Sequence, residues 1–157
     1  MKGDLPYRRI RAVDIPALLA ALPSWPFQPA NIGSTNPEKS PSWMVFDRLV
    51  PAEVRAFVSA LDLGGTTQRI VIRKLGPRQG MPPHIDKWMA SEANWQRFQL
   101  PLVTDRAILM RWPNEGVSVH LEAGVLYEVD FSKLHEVVNN ADIERVHLQI
   151  DQTDATV

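Results

Sequence analysis

The chain has 157 residues, 45% hydrophobic and 22% charged, which excludes a disordered chain and suits one domain whose core needs no disulfide. The balance of 17 Lys and Arg against 18 Asp and Glu gives a net charge of −1, without the basic excess of proteins that grip nucleic-acid backbone. Its 0 cysteines exclude a thiolate nucleophile, an iron–sulfur cluster and a Cys-ligated zinc, so any metal must rest on carboxylates and the 4 histidines.

The N-terminal stretch lacks the order of basic region, apolar run and small-residue cleavage site of a signal peptide. No apolar run approaches the ~18–20 residues of a membrane span. The expectation is a cytoplasmic protein without nucleic-acid or membrane partners.

Residues 15–22 read as a helix, with Asp14 placed to cap it and Pro16 at its first position. Residues 23–45, rich in Pro, Ser and Asn, read as an irregular segment carrying Trp25, Phe27 and Trp43. Val54, Phe57, Val58 and Leu61 form an amphipathic stripe over residues 51–61, stopped by Gly64 and Gly65.

From Thr67 the texture becomes β. Residues 68–75 are strand-like and 76–80 carry turn chemistry; further strands are expected at 97–103, 107–112, 117–121, 125–129 and 143–150. Short strands at this spacing suggest a sandwich or jelly-roll barrel with a site in its mouth, under an N-terminal helical layer. The whole reads as one domain over 1–157: a helical or irregular layer to 65, a β core over 66–151 and a tail over 152–157.

Three segments carry chemistry. In Pro82-Pro-His84-Ile-Asp86, residues two apart on an extended chain face the same way, so His84 and Asp86 point together. His135 precedes a turn over 139–142, after which Arg145, His147 and Gln149 alternate with Val146, Leu148 and Ile150. Arg97 and Gln99 alternate in the same way with Phe98 and Leu100. Two strands with matching polar faces argue for a shared polar lumen. Two histidines and one aspartate make the facial set that leaves open positions on non-haem Fe(II), and arginine is suited to bidentate capture of a carboxylate.

With these segments, together with Gly124-Val-Leu-Tyr-Glu-Val-Asp130 and His135-Glu-Val-Val-Asn139, residues 70–151 resemble the aspartyl/asparaginyl β-hydroxylase-like branch of the Fe(II)/2-oxoglutarate-dependent oxygenases. The pattern also resembles some free-proline hydroxylases. The resemblance implies a mostly β, double-stranded β-helix (jelly-roll, cupin-like) fold, with Fe(II) held by His84, Asp86 and His135. It implies that Arg145 binds the distal carboxylate of 2-oxoglutarate, and that Arg97 and Gln99 reach either the cosubstrate's C1 end or the substrate, with Arg97 a candidate for both. It further implies a dioxygenase that uses O2 to hydroxylate an amino acid or an Asp, Asn or Pro residue of a peptide or protein.

Among the other residues, His147 reads as a buried hydrogen-bonded group rather than a ligand. His120 reads as strand surface or pocket wall, Glu136 as solvent-exposed and Asn139 as a turn cap. Arg73 reads as a surface residue of an amphipathic strand. Trp88, two residues beyond Asp86, is a candidate substrate contact within a lid over residues 87–94. The competing readings are a cupin-like module that binds metal and an acidic small molecule without turnover, and a β-sandwich interaction domain with outward polar faces.

Overall fold

The computed structural model of the protein describes residues 5–30, 42–87 and 94–157. Two antiparallel sheets face each other. The larger runs, in spatial order, β1 (Tyr7–Ala12), β9 (Val125–Val129), β6 (Trp95–Val103), β11 (Arg145–Thr153), β4 (Thr66–Leu75), β3 (Ser42–Val45) and β2 (Gln28–Pro29). The smaller runs β5 (Gly80–His84), β10 (His135–Asn139), β7 (Ile108–Trp112) and β8 (Val117–Val119). This is the expected mostly β, double-stranded β-helix architecture.

The period-2 pattern of the central strands decides which side faces what. Ile70 and Ile72 of β4, Phe98 and Leu100 of β6, and Leu148 and Ile150 of β11 point outward into one apolar cluster. The helices α1 (Pro16–Ala21) and α2 (Ala52–Ala60) cover that cluster with Leu18, Val54 and Val58. The opposite residues of the same strands point between the sheets. There they meet a second apolar cluster in which Trp112, Val129, Phe131 and Val137 are buried.

The N-terminal 65 residues are therefore not wholly helical or irregular. β1 pairs with β9, and β3 pairs with β4, so this region widens the larger sheet at both edges. Asp14 does not cap α1: Ile15 holds the cap position without a side-chain hydrogen bond, and Pro16 starts the helix as expected. β5 contains Pro82 and Pro83, and it is an edge strand, where a missing backbone N–H breaks no ladder.

The chain's last residues are also better held than a tail. β11 continues to Thr153, the Thr156 N–H donates to the Leu63 carbonyl (3.0 Å), and the Val157 carbonyl accepts from Arg8 (2.7 Å). This close return explains Gly65, which has φ +63° and whose missing Cβ would collide with the Thr153 carbonyl oxygen. Gly65→Ala is expected to cost at least about 2 kcal/mol, read as a lowered urea midpoint. An unchanged midpoint would show that the strand end does not seat on this turn.

Candidate metal centre and its pocket

His84 ends β5, and His135 begins the adjacent β10; the two residues are paired across the ladder. Their rings lie 4.3 Å apart between centroids. Asp86 follows on the turn, where its backbone N–H donates to the Phe131 carbonyl at 3.0 Å. One ligand atom from each of His84, Asp86 and His135 falls within 4.8 Å of the others. The edge ladder and the turn thus bring His135 to a pair, His84 and Asp86, that lies some fifty residues earlier in the sequence.

The tautomers suit a metal. His84 Nδ1 donates to the Pro82 carbonyl and His135 Nδ1 to the Lys133 carbonyl, both at 2.8 Å, which leaves each Nε2 lone pair free. Burial pulls the His135 imidazole down to about 4, and nearby His84 adds to the shift while the Lys133 carbonyl opposes it. The Phe131 ring stacks on His135 at 4.2 Å and fixes its plane. Two neutral imidazoles and one carboxylate that can converge on a single point fit a divalent iron with open positions.

An open pocket of about 300 Å³ leads to this cluster. Its smaller-sheet wall is apolar, with Met81, Met110 and Val137; its larger-sheet wall is polar, with Arg73, Arg97, Gln99, Arg145 and Gln149. The polar faces of β6 and β11 therefore do line one lumen.

The polar wall is one connected ladder. Asp151, fully buried, accepts from Arg97 Nε at 2.6 Å and Nη2 at 3.0 Å, while Arg97 Nη1 donates to Asp86. Arg97 thus ties Asp86 to the sheet, and it also lies 4.8 Å over the Phe131 ring. Arg97, expected to reach cosubstrate or substrate, directs these three nitrogens at the two carboxylates. Gln149 Nε2 donates to Asp151 at 3.4 Å, and Gln149 Oε1 accepts from Gln99 Nε2 at 3.3 Å and from Arg73 Nε at 3.2 Å.

A carboxylate only accepts, so the ladder has a direction, and Gln99 turns its Oε1 to His147 Nδ1 at 3.0 Å. His147 Nδ1 then carries its proton, and Arg145 Nη2, 2.9 Å away, finds no acceptor there. Arg145 is buried, and among the described residues no carboxylate pairs with it. Burial, and then the charge of Arg73, pulls its guanidinium down to about 9, still cationic at neutral pH.

Arg73 is the residue that the sequence reading misplaced. It enters the pocket instead of lying on the surface, because β4 sits beside β11 with Arg73 opposite His147. Burial, helped by Arg97, lowers it to about 10. Phe131 was not singled out at all. Glu136 is only partly exposed and pairs with Arg111 at 3.0 Å. Asn139 caps the turn, donating to the Gly76 and Ile143 carbonyls and accepting from the Ala141 N–H. His120 lies off the site, with Nδ1 3.3 Å from the Ile108 carbonyl. Trp88 and most of the expected lid fall outside the described residues.

Fold and site together define the class: a jelly roll with a His-Asp-His cluster between its sheets. Residues 45–154 match the model of the aspartyl/asparaginyl beta-hydroxylase family, and the chain belongs to that family. Among solved structures it is similar to an oxidoreductase of the 2OG-Fe(II) oxygenase family from Burkholderia pseudomallei, at 12% identity and TM-score 0.68, over 97% of this chain and 87% of that one. It is similar as well to a Pseudomonas putida prolyl-4-hydroxylase, at 15% identity and TM-score 0.62, over 96% and 94% of the two chains. A third is a viral collagen prolyl hydroxylase from Paramecium Bursaria Chlorella virus-1, at 10% identity and TM-score 0.59, over 95% and 97%. At such identities these likenesses show the shared fold. No curated protein matches the sequence. Among the described residues, no helix is long and apolar enough to cross a membrane.

Proposed function

We propose that the protein is an Fe(II)- and 2-oxoglutarate-dependent dioxygenase that hydroxylates an amino acid, or an Asp, Asn or Pro residue of a peptide or protein. One observation carries this reading. The pocket that holds the convergent His84, Asp86 and His135 also holds Arg145, a buried cation with no carboxylate partner among the described residues. When bound, the iron and the oxo-acid would supply the oxidising chemistry, in which O2 converts 2-oxoglutarate to succinate and CO2 while one oxygen atom goes to a substrate C–H bond.

The chain's own part is to bind, orient and exclude water. His84 and His135 offer Nε2, with their ring planes set by carbonyls behind them; Asp86 offers a carboxylate oxygen while Arg97 holds its other one. Arg145 receives the far carboxylate of the oxo-acid, and Gln99 keeps His147 beside it. Met81, Met110 and Val137 make the facing wall apolar, which limits the water that reaches the reacting centre.

The test is an anaerobic titration of Fe(II) and 2-oxoglutarate, watching for the weak visible charge-transfer band of the chelated complex. The wild type is expected to show the band and His135→Ala to lack it. Arg145→Ala should need roughly 10- to 100-fold more oxo-acid, the loss expected for hydrogen bonds between charged groups. A folded, metal-loaded wild type without the band would overturn the reading in favour of a metal-binding module without turnover.

A further inference from the structure

The polar wall carries a second arginine that the proposed reaction has not yet used. Arg73 and Arg145 stand on adjacent antiparallel strands and face the same lumen. Arg145 pairs with Leu75 and Arg73 with His147, which makes the two arginines diagonal neighbours. Side chains so placed start roughly 7–8 Å apart, within the reach of two long arginines toward one point. Both line the pocket.

Among the described residues, Arg73 has one hydrogen-bonded anchor, and Arg145 has no acceptor at its one close contact. Arg73 donates from Nε to Gln149 Oε1, and Arg145 meets His147 through Nη2, where the ladder offers no lone pair. Among the described residues, neither has a carboxylate within ion-pair distance, whereas Arg97 beside them has Asp151 and Asp86. Two like charges held close in a largely buried pocket are unfavourable unless an anion lies between them. The Arg73 charge adds to burial in lowering the Arg145 guanidinium.

Resting on the oxygenase reading above, we infer that Arg73 and Arg145 form a two-guanidinium clamp on the distal carboxylate of the oxo-acid, selecting a dicarboxylic cosubstrate over a monocarboxylic one. The metal end of the pocket serves the carboxylate and keto group that every 2-oxo-acid has. The arginine pair serves only an acid with a second carboxylate, so its contribution separates 2-oxoglutarate from its shorter relatives.

Calorimetric titration of the Zn(II)-loaded protein, which is redox-inert, tests this without turnover. The probes are 2-oxoglutarate and 2-oxobutyrate, compared in the wild type, Arg73→Gln and Arg73→Lys. Arg73→Gln is expected to weaken 2-oxoglutarate roughly 10- to 100-fold, with Arg73→Lys between it and the wild type. Binding of 2-oxobutyrate should stay within about twofold, as a carboxylate-directed contact requires. An unchanged 2-oxoglutarate affinity in Arg73→Gln overturns the clamp. An equal loss for both acids also overturns it, because Arg73 would then serve the carboxylate they share. In either case the oxygenase reading stands, whereas a zinc-loaded wild type that binds neither acid removes that reading and the clamp together.

Discussion

Asp151→Ala is expected to destabilise the protein by about 3–5 kcal/mol, the range for breaking a buried ion pair from one side. Asp151 is fully buried and accepts from Arg97 twice, from Arg69 Nε at 3.1 Å and from Gln149 Nε2 at 3.4 Å. Its loss removes from Arg97, itself 1% exposed, the carboxylate it meets through two nitrogens, and leaves its contact with Asp86. For a chain of this size the melting temperature should fall by on the order of 10 °C. Asp151→Asn keeps the shape and loses the charge, so it should fall between the wild type and Asp151→Ala.

The same change should reach the metal. Arg97, no longer held back by Asp151, would draw harder on the Asp86 carboxylate and compete with an ion for it. Zinc affinity is therefore expected to fall with stability, by about tenfold, the usual size for the loss of a partner that supports a ligand. Thermal melts and a zinc titration on the two variants read both effects. A destabilisation below about 1 kcal/mol would mean that Asp151 contributes no more than a partner in an exposed ion pair does.

How much of this was legible depended on whether one strand announced its own inner face. β11 did: Arg145, His147, Gln149 and Asp151 alternate with Val146, Leu148 and Ile150, so only one orientation buries the branched residues. β6 repeated the pattern with Arg97 and Gln99, and the two faces meet in register, with Gln149 opposite Gln99. β4 was ambiguous. Arg73 shares its face with Val71 and Leu75, and Lys74 lies on the other, so each face mixes charge with apolar residues. Only the pairing of β4 with β11 shows which face looks inward, and pairing is a non-local fact.

The strands that went unread were illegible for related reasons. β1, Tyr-Arg-Arg-Ile-Arg-Ala, carries three arginines and has no clean period, because it is an edge strand held mainly by the β9 ladder. β5 contains two prolines, which argue against a strand anywhere except an edge. β10 is five residues long, and the residues from His135 to the turn at 139–142 were assigned to no strand. The site nonetheless emerged from the sequence, because a metal cluster needs particular residue types whatever the strand boundaries. Role was harder to read than place: Arg97 was expected to reach cosubstrate or substrate, whereas its engagement with Asp86 and Asp151 requires knowing that β6 and β11 are neighbours.

The second large effect is on acid stability, and His147 carries it. Its imidazole is buried, its Nε2 has no partner among the described residues, and burial, then Arg145 and His120, hold its proton affinity well below the ordinary histidine value. In the unfolded chain His147 binds a proton as pH falls below about 6.5, while in the folded protein it stays neutral. Unfolding thus takes up a proton, and stability is lost as pH falls through that value, at about 1.4 kcal/mol per pH unit for each such group. Above that pH both states are neutral and the effect vanishes.

Between pH 6.5 and 5 His147 should account for about 2 kcal/mol of lost stability. His135, held at about 4 when folded, adds a parallel loss in the metal-free protein. Urea melts of the metal-free wild type and of His147→Gln, taken from pH 7.5 to 5, separate the two. The variant's curve should be flatter by about one proton, whatever its absolute stability, because only the slope reports proton uptake. Parallel curves would mean that His147 charges freely inside the fold. That is hard to reconcile with a buried ring pressed against the Arg145 guanidinium. A flatter curve in the variant would show that His147 stays neutral beside Arg145, so that its Nδ1–H remains turned to Gln99 and the positive charge met there by an incoming carboxylate is the guanidinium's own.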